Sequence, residues 1–277
     1  MSVQIIIDST ADLPMHLRAR TAVVPLTVRF GEEEYQDSVT INYEQFYEKL
    51  LTCQELPCSS QPSPDAFESV YQSVTDAGDE AVVLTISSRL SGTYQSACIA
   101  AEDFPNIHVV DTMTAAIGAG VLTQYALQLA AEGLDAKSIA AKLEEEKGNV
   151  RLFAVLDTLE FLKRGGRLSA TAALAGSLLN IKPVITVKDG VIEVVGKARG
   201  LRRGNAMMTE QVATSGGADL SKPFLLGYTG LSNELLQGYM TDNAALWPAD
   251  SSVTPIGSTI GTHVGPGAYA VAYFCKH

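Results

Sequence analysis

Residues that build metal sites and disulfide frameworks are scarce in this chain. Its 277 residues include four cysteines and four histidines. The cysteines form no C-x-x-C pair, and no group of histidines and cysteines has the spacing of a zinc site. We therefore expect no bound metal and four free thiols in a reducing compartment. The cysteines are Cys53, Cys58, Cys98 and Cys275.

The common phosphate-binding and hydrolase motifs are also absent. The sequence has no G-x-x-x-x-G-K-[ST] loop, and Gly118-Ala119-Gly120 lacks the third glycine of a dinucleotide loop. It has no G-x-S-x-G elbow, because the serine between Gly257 and Gly261 stands one place early. These absences predict a protein without a cofactor and without a strong catalytic constellation.

Positive charge is scarce overall but concentrated in one segment. The net charge of −11 argues against binding to nucleic acid and allows at most transient contact with an anionic membrane. Between Lys163 and Arg203 there are nine basic and two acidic residues, a local balance of +7 that leaves −18 on the rest of the chain. This segregation indicates a surface for an anionic partner.

We expect neither a secretory leader nor a membrane span. A predicted strand begins at Val3, with no basic and apolar leader before it. A long uncharged run, Thr112–Ala131, includes Gln124 and Gln128, and we interpret it as a buried helix. With free thiols, these features favour a cytoplasmic protein.

Apolar strands alternate with helical periodicity in the first half, which predicts βαβ units and a mostly parallel sheet. Asp12 and Pro14 suggest the cap and first turn of a short helix. The predicted strands are Val3–Ile7, Ala22–Phe30, Ala81–Ile86 and Ile107–Val110. The predicted longer helices are Tyr43–Leu51, Pro64–Val74, Tyr94–Glu102, Ala115–Ala131 and Asp135–Lys147.

The second half predicts a mixed sheet. Its clearest feature is a hairpin, Asn180–Lys188 and Val191–Lys197, around the tight-turn pair Asp189-Gly190. The other predicted elements are the strands Arg151–Asp157, Phe224–Tyr228 and Tyr269–Phe274 and a short helix, Thr158–Lys163. We therefore expect a two-domain α/β protein, with a mostly parallel N-terminal domain at residues 1–149 and a mixed-sheet C-terminal domain at residues 150–277.

Three loops rich in hydroxyl groups or glycine remain. Ser87–Thr93 lies between a predicted strand and a helix, where free backbone N–H groups favour an anion. It has no lysine, so it suits a carboxylate or hydroxyl better than a triphosphate. The other two loops are Ser59-Ser60-Gln61 and Gly257–Gly267, which contains His263. Helix capping is the alternative for any single side chain, and we keep it for Asp8 and Asp12.

Together, five segments resemble the DegV family, whose members are similar to the fatty-acid-binding FakB subunit of bacterial fatty acid kinase. They occur in the family's order over nearly the whole chain. The family usually has threonine where Ser59 stands, and serine keeps the hydroxyl. The segments are Asp8–Leu13, Ser59–Ser63, Ile86–Ser96, Leu162–Leu168 and His263–Gly267.

The resemblance implies a lipid-binding protein that holds one long-chain fatty acid and catalyses nothing by itself. Carried over by position, Ser59 and Ser91 are the carboxylate ligands. The backbone N–H of Gly92 and the hydroxyl of Thr93 support them, and His263 belongs to the network around the head group.

The resemblance also implies a partner, because phosphoryl transfer needs a nucleotide site that this chain lacks. A separate ATP-dependent kinase subunit would form the acyl phosphate. Arg167, Arg199 and Arg202 fall where the family presents the acid to that subunit, and the +7 segment contains all three.

Physical chemistry agrees with a fatty acid. Each buried methylene contributes roughly 0.8 kcal/mol, so a palmitate-sized tail supplies about ten kcal/mol, and the head group needs only a few donors. Uncharged residues between Leu168 and Ile181 are candidates for the tunnel wall, with ordinary core as the alternative. Those considered are Ala172, Leu174, Leu178 and Ile181.

Two other functions stay open at this point. A serine hydrolase would use Ser91 as nucleophile and His263 as base. A subunit similar to the substrate domain of dihydroxyacetone kinase would bind a small carbonyl compound, which His263 would attack.

Overall fold

The computed structural model describes residues 2–168 and 180–276. Within them it has thirteen strands, ten α-helices and a 3₁₀ turn at Lys147–Asn149. The strands are β1 Val3–Asp8, β2 Ala22–Val24, β3 Thr27–Phe30, β4 Glu33–Gln36, β5 Cys58–Ser60, β6 Glu80–Thr85, β7 Ile107–Asp111, β8 Val150–Val155, β9 Ile181–Lys188, β10 Val191–Arg199, β11 Phe224–Tyr228, β12 Val253–Pro255 and β13 Tyr269–Phe274. The helices are α1 Met15–Arg18, α2 Tyr43–Thr52, α3 Pro64–Asp76, α4 Thr93–Ala101, α5 Ile117–Ala131, α6 Ala136–Glu146, α7 Glu160–Arg164, α8 Leu201–Thr214, α9 Glu234–Asp242 and α10 Ser258–Val264.

The described strands form three sheets, and the fold is the expected mixed α/β architecture. A four-stranded sheet in the order β2-β1-β6-β7 is entirely parallel. A six-stranded sheet in the order β10-β9-β8-β13-β11-β12 is antiparallel except between β11 and β12. The third, β4-β3-β5, is small and antiparallel.

The prediction of one strand over Ala22–Phe30 is wrong. The chain forms two strands there, and they belong to different sheets. Pro25 separates them, since proline has no N–H to donate to a ladder. The Ser9 hydroxyl accepts the Leu26 N–H at 3.0 Å just after that break.

Helix α5 explains the long uncharged run. Ten of its fifteen residues are buried, because it packs against β1 of the parallel sheet and against β8, β11 and β13 of the mixed sheet. A helix covered on several sides is apolar all round, so the interpretation as a buried helix is confirmed. Within residues 2–168 and 180–276, no helix has the length and apolar character needed to cross a bilayer.

The hairpin prediction is also confirmed. Strands β9 and β10 pair around Asp189 and Gly190, both of which have positive φ, as a tight hairpin turn requires. The hairpin tip contacts the loop after β6, where the Ser87 hydroxyl donates to the Gly190 carbonyl at 2.8 Å.

The strands of the parallel and three-stranded sheets end before residue 150, and those of the mixed sheet begin at or after it. The two halves are nevertheless closely packed, because α5 contacts the mixed sheet and α10 contacts β3 and β5. The division into domains 1–149 and 150–277 therefore stays a prediction.

The capping roles expected for Asp8 and Asp12 are wrong. Helix α1 begins at Met15, and Pro14 occupies its cap position. Asp8 accepts hydrogen bonds from the Thr10 and Ile86 N–H groups, at 2.8 and 2.6 Å. Both carboxylates are buried and hold distant segments together.

Candidate functional site

A mostly apolar cavity of about 270 Å³ lies where the sheets meet. Its wall includes Leu26 and Ile86, which follow strands of the parallel sheet, and side chains from β8, β9, β10 and β13. Its polar side chains come from separate parts of the chain. They are Ser59, Ser60, Gln61, Ser91, Arg167, Thr259 and His263, and Tyr269 also lines the cavity.

His263 and Ser59 form a direct pair in this wall. The Ser59 Oγ lies 2.7 Å from His263 Nε2, although the residues are 204 positions apart in sequence. Burial and the nearby Arg167 guanidinium lower the pKa of His263 to about 4. The imidazole is therefore neutral at physiological pH and can act as donor or acceptor.

Ser91 lies on the same wall, at the turn into α4. Its hydroxyl is 2.9 Å from the Thr93 hydroxyl and accepts the Thr93 N–H at 3.4 Å. Gly92 occupies the cap position of α4, where no side-chain cap bond is made. A Cβ at Gly92 would overlap the Gln61 side chain, so glycine permits the loop to approach closely.

Arg167 joins these two polar groups. Its Nε donates to the Leu90 carbonyl at 3.2 Å and its Nη1 to the Gly165 carbonyl at 2.6 Å. The first bond ties Arg167 to the residue before Ser91, and its charge acts on His263. A fixed guanidinium beside a neutral imidazole and hydroxyl groups is suited to a small anion.

The structure does not bring the other two predicted arginines to the cavity. Arg199 ends β10 and Arg202 lies in the first turn of α8, and both are exposed. Neither is among the described residues that line the cavity, and no ion pair joins either to a described acid.

Three predicted tunnel residues, Ala172, Leu174 and Leu178, lie outside the described residues. Ile181 begins β9 and is not among the described residues on the cavity wall. The apolar wall that is described comes instead from strands and from α10. Its members include Leu152, Ala154, Ile185, Val187, Ile192 and Ala270.

The expected glycine-rich loop around His263 is mostly a helix. Helix α10 covers Ser258–Val264, with Gly257 and Gly265 at its two caps. Four of its residues, spaced along one face, line the cavity: Thr259, Ile260, His263 and Val264. This i, i+1, i+4, i+5 spacing is typical of one face of an amphipathic helix and could have predicted α10. The surrounding glycines indicated a loop instead.

The geometry gives the hydrolase alternative no support. His263 bonds to Ser59 and not to Ser91, and its Nδ1 has no hydrogen-bond partner among the described residues. A triad needs a group at Nδ1 to orient the base, and a pKa of about 4 makes His263 a weak base near neutrality. The largely apolar wall likewise offers little to a small carbonyl compound.

Comparison with known proteins identifies the family. A model described as an uncharacterised protein of the DegV family matches residues 2–276. A DegV domain-containing protein of Deinococcus radiodurans is 36% identical over 280 residues, 98% of each chain. The chain therefore belongs to the DegV family.

Two solved structures are similar over nearly their whole length. One describes fatty acid binding of a DegV family protein from Thermus thermophilus; it is 34% identical, with a TM-score of 0.88 over 99% of this chain and 100% of that one. The other is DegV of Bacillus subtilis, described as a fatty acid binding protein. It is 29% identical, with a TM-score of 0.86 over 100% of both chains.

Proposed function

We propose that this DegV-family chain binds one long-chain fatty acid in the cavity between its sheets. The observation that carries the proposal is the composition of the wall, which sets a few polar side chains beside a larger apolar surface. The polar cluster is Ser59, Ser91, Arg167 and His263, and the two similar solved proteins are described as binding fatty acids.

The head group would lie at that polar cluster. The hydroxyls of Ser59 and Ser91 donate to its carboxylate, and the Gly92 N–H and the Thr93 hydroxyl support them in binding it. Arg167 supplies the positive charge, so we assign it to the head group as well as to the partner surface. A carboxylate beside His263 would also favour the imidazolium and raise its pKa.

The tail would lie along the apolar wall. Burying each methylene contributes roughly 0.8 kcal/mol, so a chain of palmitate size gains about ten kcal/mol before the costs of ordering. The tail therefore supplies most of the affinity, and the polar cluster mainly avoids an unpaired buried carboxylate.

We further propose that the chain presents the carboxylate to a separate ATP-dependent kinase subunit and performs no chemistry alone. The exposed guanidinium groups of Arg199 and Arg202 support this role, since they are free of ion pairs to described acids and lie in the segment of +7 charge. An acidic surface on the partner would be attracted to them.

Solvent extraction of the purified protein, followed by mass spectrometry, tests the binding proposal. We expect a fatty acid in the extract, and tight binding of added palmitate or oleate to the delipidated protein. If the extract holds no fatty acid and neither added acid binds, the proposal fails.

A pair of substitutions separates the head group from the partner surface. Ser91→Ala should weaken fatty-acid retention, while Arg202→Ala should leave retention intact and slow phosphorylation by the kinase subunit. Ser88→Ala is the matched control for the loop, because Ser88 is exposed and does not line the cavity. Equal effects of S91A and R202A on binding would overturn this separation.

A further inference from the structure

Two buried carboxylates from the first half of the chain hold the start of helix α10. Asp37 accepts the Ser258 N–H at 3.2 Å with Oδ1 and the Thr259 N–H at 3.1 Å with Oδ2. Asp12 accepts the Gly257 N–H at 2.8 Å. These contacts join residues more than 220 positions apart, so two loops of the first half fix one helix of the second.

The carboxylates replace a cap that the helix itself does not provide. Gly257 occupies the cap position and has no side chain that could accept these hydrogen bonds. A Cβ placed on Gly257 would lie 3.3 Å from Asp12 Oδ1 and 3.5 Å from Asp37 Oδ1. Both carboxylates therefore lie close together at the start of α10.

Burying two acidic side chains at the start of α10 costs folding free energy. Asp12 and Asp37 are almost completely buried, and Asp12 Oδ2 has no hydrogen-bond partner among the described residues. Burial and the nearby Asp37 raise the pKa of Asp12 well above its ordinary value. A single serine or threonine at the cap would satisfy one of these N–H groups at less cost, but it would not attach the helix to two distant loops.

The attachment matters because α10 carries part of the candidate site. His263 lies on this helix and reaches Ser59 on β5. Asp12 also donates its backbone N–H to the carbonyl of Ala116, another residue of the cavity wall, at 3.3 Å. One residue thus contacts two wall elements, the start of α10 and the start of α5.

We propose that Asp12 and Asp37 are positioning residues that fix α10 so that the His263 imidazole meets Ser59 in the cavity wall. Their consequence for fatty acid retention rests on the proposed function, whereas the placement of the imidazole does not. Neither carboxylate needs to touch the ligand for this role.

Titration of the His263 ring by NMR, on uniformly labelled full-length protein, tests the placement directly. In the unaltered protein the ring should stay neutral from pH 7.5 to 5.5, because its pKa is about 4. In Asp37→Ala the helix start loses the acceptors of the Ser258 and Thr259 N–H groups, and we expect the pKa of the ring to rise toward its ordinary value as water reaches it, so that the ring titrates within this pH range. Palmitate affinity should fall at least tenfold in the same variant.

Two substitutions of Asp12, one that removes the acceptor and one that keeps it, test the same proposal if Asp37→Ala does not fold. Asp12→Ala removes the single bond to Gly257, whereas Asp12→Asn keeps the accepting Oδ1. We expect D12A to shift the titration and weaken retention, and D12N to restore both. Asp135→Ala is the matched control, because Asp135 caps α6 through the Ser138 N–H at 2.7 Å and does not line the cavity.

The inference is overturned if D12A and D37A fold with a lower unfolding midpoint but leave the His263 titration and palmitate affinity unchanged. The acids would then stabilise the fold alone. If the unaltered protein binds no fatty acid, the proposed function fails, and the ring titration still decides whether the acids position His263.

Discussion

Protonation of His263 should make the stability of this protein depend on pH in a defined direction. Its folded pKa of about 4 lies below the ordinary 6.5 because the ring is buried and close to Arg167. The unfolded chain therefore takes up this proton first, so the stabilising contribution is complete above pH 6.5 and is lost as pH falls toward 4. At 1.36 kcal/mol per pKa unit the loss is about 3 kcal/mol.

Other buried acids act in the opposite direction, so the comparison must be between two variants. The pKa values of Asp8 and Asp12 are raised by burial, so the folded state takes up those protons first. Their unfavourable contribution diminishes as the solution is acidified. His263→Gln keeps a hydrogen-bonding group at the position of Nε2 and removes the titration, which isolates the histidine.

Urea unfolding of delipidated protein at pH 7, 6, 5 and 4 measures the effect. Trp247 is the only tryptophan and is almost fully buried, so its fluorescence follows the half of the chain that contains His263. The difference in unfolding free energy between the original protein and H263Q should change by about 3 kcal/mol from pH 7 to pH 4. If the unfolding free energies of the two proteins change in parallel with pH, within about 1 kcal/mol, His263 is not a buried neutral imidazole.

Two further predictions concern backbone and packing around the cavity. Ala116 lines the cavity with φ +52° and ψ −133°, a backbone conformation that suits glycine. Ala116→Gly should therefore raise the free energy of unfolding by about 1 kcal/mol. A lower free energy of unfolding, measured with urea, would contradict backbone strain at Ala116. Gly261→Ala would place a Cβ 2.6 Å from the Phe46 ring and the Tyr47 hydroxyl, and should lower the free energy of unfolding by about 1–3 kcal/mol. The control is Gly238→Ala in α9, where a new Cβ meets nothing within 4 Å; its free energy of unfolding should rise by about 0.5–1 kcal/mol. Equal changes in the free energy of unfolding of the two variants would count against the tight contact at Gly261.

The sequence was most informative where apolar runs lie between clear turns. Phe224–Tyr228 and Tyr269–Phe274 were predicted with the bounds that the structure has, since both strands are covered by neighbours and read as short apolar runs. Helix α8 was missed because its first turn holds adjacent arginines at the end that the helix dipole makes positive. Helix α10 was missed because its flanking glycines indicated a loop.

The sequence grouped several residues that line the cavity, but it did not predict how these residues contact one another. The motifs brought Ser59, Ser91 and His263 into one group, and all three line the cavity. Which serine pairs with His263 depends on how α10 meets β5, and no local pattern encodes an orientation across 204 residues. Asp12, one of the two acids that hold α10, was interpreted as a local cap for the same reason, because its true partner, Gly257, lies 245 residues away.

The position of Arg167 changes the physical account of the proposed head-group site. The absence of lysine from the Ser87–Thr93 loop suggested that hydroxyl groups alone would bind a carboxylate. The structure places a guanidinium on the same wall, fixed by the carbonyls of Leu90 and Gly165. Arginine can hold this place without losing its charge, whereas lysine shifts its pKa readily when buried. Positive charge at the proposed head-group site therefore comes from a residue 74 or more positions beyond the hydroxyl loop, and it adds to the effect of burial in lowering the pKa of the adjacent imidazole.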